Sequence, residues 1–103
     1  MTLEFFTQQL WRASQQRKEC KVKLKGEIFP RTIHPYGICQ SSRNKIVIVC
    51  WQVAGPSKSG DSSGYRNLLL ENCEGVEILN SSFHVQPDFN PEEGNYKDWV
   101  FHL

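Results

Sequence analysis

A chain of 103 residues, 39% hydrophobic and 22% charged, has the size and composition of one globular domain, which excludes wholesale disorder. The longest apolar run, Ile46 to Trp51, has six residues against the roughly 18 of a membrane span, and the N-terminus lacks a signal-peptide pattern. A cytoplasmic protein with no membrane partner is expected. The net charge of +1 conceals a split, since residues 1–50 carry nine Lys/Arg against three Asp/Glu (+6) and residues 51–103 carry three against eight (−5). Such a split marks either a basic binding face or two halves that attract each other in the fold.

Thr2 is placed to cap a helix running to about Gln16, because Leu3, Phe6, Leu10 and Ala13 recur at helical spacing. From Cys20 the period changes to two: Cys20, Val22 and Leu24 alternate with Lys21, Lys23 and Lys25, the pattern of a half-buried strand. After a Gly26-Glu27 turn, a second strand is predicted over Ile28–His34, with Pro30 confining it to an edge or a bulge. It continues from Tyr36 to Gln40 beyond a kink at Pro35. Ser41–Asn44 is a polar turn into Lys45–Gln52, the expected central strand. A flexible loop over Ala54–Gly64 leads to strands at Tyr65–Leu70 and Val76–Leu79, separated by a Glu71–Gly75 turn. Pro87–Gly94 is an acidic connection, and the aromatic segment Asn95–Leu103 ends the chain. One helix followed by five or six short strands favours a small barrel.

The residues that carry chemistry point to binding rather than catalysis. Gly60–Gly64 resembles the nucleophile segment of trypsin-like proteases, but those enzymes need two barrels and a distant His and Asp. Cys39 follows His34 by five residues, which puts the two on opposite faces of a continuous strand. No CxxC pair occurs among Cys20, Cys39, Cys50 and Cys73, so the four read as core thiols, with no metal and no cofactor expected. His84 and His102 are expected at the surface. The acids cluster in loops without an acid–base pair, so an enzyme is not expected. Lys21, Lys23 and Lys25 project from one strand face. They read either as solvated lysines or as a phosphate-tracking surface to which Arg43, Arg31 and Tyr36 add specificity and stacking.

Arg31-Thr-Ile-His34-Pro35-Tyr36-Gly37-Ile38 and, some thirty residues on, Tyr65-Arg66-Asn-Leu68-Leu-Leu70 each set an arginine beside alternating apolar residues. With the short helix, the Lys45–Trp51 strand and Val76–Leu79 leading to Phe83, this order resembles a WYL domain over about Leu10–Phe83. The triplet that names that family would fall near Lys45–Val49, where the chain reads Lys-Ile-Val-Ile-Val, and Glu71-Asn72-Cys73 stands where a further arginine is expected.

The resemblance implies a mainly β fold: a small SH3-like or Sm-like β-barrel of five or six strands with an N-terminal α-helix and a C-terminal extension. The whole of 1–103 is then one domain, with the helix at 1–18, the barrel at 19–83 and the extension at 84–103. It also implies a bacterial regulatory module that binds single-stranded nucleic acid or a nucleotide-like, phosphorylated ligand, here as a stand-alone sensor without a helix-turn-helix. Arg31 and Arg66 would hold the ligand, with Tyr36 and His34 beside it. The other reading open at this point is a homodimer or protein-contact module that uses the helix face or the aromatic tail.

Overall fold

The computed structural model describes residues 2–56 and 63–103. Helix α1 spans Leu3–Gln15, and the Thr2 hydroxyl oxygen caps it by accepting the Phe5 N–H at 3.2 Å. Phe6, Leu10 and Ala13 are buried, whereas Leu3 sits at the edge of the stripe and is 44% exposed. Arg17, in left-handed backbone (φ 55), turns the chain out of the helix.

Among the described residues six antiparallel strands follow: β1 (Lys18–Leu24), β2 (Arg31–Ser41), β3 (Ile46–Ala54), β4 (Gly64–Leu69), β5 (Cys73–Ser82) and β6 (Tyr96–His102). Their order is β4-β3-β2-β1-β5, and β6 joins β2. A 3-10 turn over Leu70–Asn72 links β4 to β5. Among the described residues those two terminal strands of the order do not pair, so hydrogen bonds there do not close the sheet into a barrel.

Strand β2 is shared between neighbours. Along one edge it runs beside β3 from Thr32↔Ala54 to Gln40↔Ile46. Along the other, Arg31–Ile33 pair with β1, and Gly37–Ser41 pair with β6. The register slips between Pro35 and Gly37, where a residue without an N–H costs the ladder least. Gly37 lets β6 approach, because a Cβ there would collide with the Phe101 carbonyl oxygen and lie 2.6 Å from the Trp99 ring.

The result is a core on each face. One holds Phe6, Leu10 and Ala13 of the helix against Val22, Ile33, Ile48, Leu68 and Cys73. The other holds Tyr36, Cys39, Val47, Val49 and Phe83, and Phe89, Tyr96 and Trp99 of the C-terminal segment pack on it. All four cysteines are buried free thiols, and His84 and His102 are exposed.

Several sequence expectations change. Ile28–Pro30 is a loop rather than part of the second strand, which begins only at Arg31. Pro35 sits inside a continuous β2 at a bulge. The predicted Glu71–Gly75 turn is the 3-10 turn followed at once by β5. The segment expected as an extension supplies β6 and, with Val85, Phe89, Tyr96, Trp99 and Leu103, much of the apolar layer packed on the second core. The Ala54–Gly64 loop, with the Gly60–Gly64 segment, falls over 57–62 outside the described residues.

Candidate functional site

Arg31 is 7% exposed and points inward at the start of β2. Its Nε and Nη2 donate to the two carboxylate oxygens of Glu27 at 3.0 and 2.7 Å, a fork-on-fork pair. Its Nη1 donates to Gln52 Oε1 at 3.0 Å, and Gln52 Nε2 donates to the Pro56 carbonyl at 3.0 Å. The bond to Glu27 raises the Arg31 pKa further. This guanidinium fastens the loop before β2 to the end of β3, and an anion could reach it only by displacing Glu27.

Tyr36 is fully buried in the second core. Its hydroxyl oxygen accepts the Gln86 N–H at 2.8 Å, which ties the C-terminal segment to β2, and burial raises its pKa. It presents no face on which a base could stack. His34 stacks on Phe83 at 4.6 Å with the rings 6° from parallel, and its Nε2–H donates to Glu19 at 2.7 Å. His34 Nδ1 is buried with no hydrogen-bond partner among the described residues.

Arg66 lies half-buried on β4 and its Nη1 donates to the Tyr65 carbonyl at 2.9 Å. Arg31 and Arg66 both act on the buried Cys50 thiol, pulling its pKa down against the larger upward push of burial. Cys50 is the register partner of Arg66 on β4, and both guanidiniums make hydrogen bonds within the chain. In the lysine stripe, Lys21 stands opposite Glu77 of β5, and Lys23 lies 3.5 Å from Glu74, so acids interleave it. Lys25 is exposed, and Arg43 is exposed in the β2–β3 turn.

A different surface brings together the groups that recognise ligands. Between β4 and the C-terminal segment lies a cavity of about 420 Å³ whose walls include Tyr65, Arg66, Asp88, Phe89, Glu93 and Tyr96. A second, of about 550 Å³, is bounded by Ser41, Ser42, Arg43, Lys45, Val47 and Leu69. Asn67 and Asn95 line both, so the two adjoin and make one trough, cationic at one end and aromatic at the other. Each falls within the roughly 300–1,000 Å³ of small-molecule sites. The Tyr65 hydroxyl donates to Asp88 at 2.6 Å, and burial together with that carboxylate keeps the phenol protonated well above the usual range. Burial and Glu93 raise Tyr96 likewise.

Of the sequence candidates, the trough gathers Arg43 and Arg66. It leaves out Arg31, Tyr36, His34, Lys21, Lys23 and Lys25. It adds Lys45, Asn67, Asn95, Phe89 and Tyr96. Asn67 directly follows Arg66 in β4, so nothing local sets it apart from an ordinary solvent-facing strand residue. Lys45 and Asn95 meet only through long-range pairing. Comparison of the chain with protein-family models, with curated proteins and with solved structures finds no match to any of them.

Proposed function

We propose that this chain is a non-enzymatic ligand-binding module that holds a nucleotide-like ligand or a short stretch of single-stranded nucleic acid in the β4–tail trough. The observation that carries the reading is the adjoining of a cationic and an aromatic cavity through two shared amides. Arg43 and Lys45 attract a phosphate, and serine hydroxyls beside them offer further donors. Tyr96 and Phe89 supply apolar ring surface for a base, while Asn67 and Asn95 supply donors and acceptors for its edge. Asp88 and Glu93 repel phosphate from the aromatic end and so orient the ligand.

A regulatory role and a WYL-like, SH3-like or Sm-like barrel belong to the same proposal. A helix followed by strands in the order β4-β3-β2-β1-β5 supports it, as does one core that draws on β1 through β5. The protein-contact alternative has less support. Exposed Leu3, Phe5 and Trp11 lie at different bearings round α1 rather than on one stripe, and the aromatic tail is paired with β2 of its own chain.

The test is fluorescence anisotropy of a labelled single-stranded oligonucleotide at low and moderate salt. Binding is expected to fall with salt, to drop severalfold in Arg43→Ala and in Lys45→Ala, and to persist in Lys21→Ala. Unchanged affinity in the double Arg43→Ala/Lys45→Ala variant rules out the trough.

A further inference from the structure

The loop between β1 and β2 carries the most exposed apolar side chains among the described residues: Ile28 is 85% and Phe29 69% exposed, and Pro30 beside them is exposed too. Large apolar residues side by side at a tip are costly in water and mark contact surfaces. The loop is also built to hold them out. Gly26 turns in left-handed backbone (φ 83), and Glu27 N–H donates to the Leu24 carbonyl at 3.1 Å. Arg31 then clamps Glu27 from inside with both arms of its guanidinium. At Gly55, a Cβ would lie 2.8 Å from Arg31 Cα and 2.9 Å from the Pro30 carbonyl oxygen, so the end of β3 buttresses the base of the loop.

The flank is basic. Lys25 adjoins the turn, and Lys21 and Lys23 line a shallow cavity with Pro30. Glu74 and Glu77 keep that charge modest, so the apolar tip must supply much of any affinity. A stable protein interface needs roughly 800 Å² from each partner, far more than three residues on a convex tip can cover. A bilayer needs no shaped counterpart, and lysines act on its surface potential without direct contact.

We propose that the Ile28–Phe29–Pro30 tip, with Lys21, Lys23 and Lys25 beside it, is a peripheral wedge that enters the interface of an anionic bilayer. The sequence expectation of no membrane partner rests on the absence of a spanning segment, which a peripheral tip does not require. This proposal is independent of the ligand trough.

The experiment is vesicle flotation of the intact chain at low salt, with phosphatidylcholine–phosphatidylserine vesicles and with phosphatidylcholine alone. The wild type is expected to float with the anionic vesicles and much less with the neutral ones. Ile28→Ser with Phe29→Ser should cut partitioning about tenfold or more, and each of Lys21→Gln and Lys25→Gln about fivefold. Ile28 and Phe29 are exposed, so the double variant should keep its circular dichroism spectrum, which is measured alongside. Wild-type protein that stays unbound, or a double serine variant that floats as well as wild type, overturns the proposal. So does a change in light-scattering mass caused by the tip substitutions, which would make the tip a contact between copies.

Discussion

Replacing Arg31 with alanine separates a structural arginine from a ligand-binding one. Breaking a fully buried ion pair costs about 3–5 kcal/mol and an exposed one about 0–1 kcal/mol. Here the Arg31 side chain is 9% and that of Glu27 24% exposed, which places the pair between those limits, at about 2 kcal/mol. Gln52, fully buried, also loses its charged donor, which adds about 1–2 kcal/mol. The expected loss is therefore about 3–4 kcal/mol, a large part of the roughly 5–15 kcal/mol that holds a small domain together. Urea denaturation followed by tryptophan emission measures it. A cycle with Glu27→Gln should show a coupling of about 1–2 kcal/mol. Oligonucleotide affinity, measured where the variant is still folded, should match wild type. A stability loss under about 1 kcal/mol, or an affinity that collapses while stability holds, would refute this reasoning and return Arg31 to the ligand.

Other substitutions test the second core and the buried thiols. Gly37→Ala forces a methyl into the Phe101 carbonyl and the Trp99 ring, so it should cost about 1–3 kcal/mol and speed hydrogen exchange along β6; a neutral or stabilising result contradicts the close approach. Tyr36→Phe removes the acceptor of the Gln86 N–H and should cost about 1 kcal/mol by denaturant titration; no change would mean that bond contributes nothing. Burial pushes the Cys50 thiol from its ordinary 9.0 up to about 12, so the unfolded thiol ionises first. Stability from this group is complete below pH 9 and drains up to about pH 12, by about 1.4 kcal/mol per pH unit. Cys50→Ala should make that alkaline decline less steep, and an identical slope in both proteins would show that Cys50 does not contribute.

Local rules made the helix and β1 legible. Thr2, Phe6, Leu10 and Ala13 state a capped amphipathic helix, and the Cys20–Lys25 alternation states a strand, within a few residues each. Ile28 misled because β-branched and aromatic residues suit strands, whereas a strand exists only where a neighbour supplies hydrogen bonds, and pairing begins at Arg31 with Val22. The internal pairing of Arg31 was hidden for a related reason. An arginine beside alternating apolar residues can face either way, and Glu27 four positions earlier settles the matter once the loop folds back. The trough was legible only in two of its residues, Arg43 and Arg66, because the Tyr96↔Ser41 pairing that carries Asn95 towards the Arg43 turn joins residues more than fifty apart.

The two cores have one wall in common. Along β2 and β3, Ile38 and Ile48 belong to the helix side, while Cys39, Val47 and Val49, their immediate chain neighbours, belong to the tail side. Neither core can melt without dissolving the strand pair on which the other rests. The chain should therefore unfold as a single calorimetric unit, despite having two separate hydrophobic clusters. Position parity along these strands also decides which side feels a truncation: Ile48→Ala should loosen the packing of α1, and Val49→Ala that of the tail.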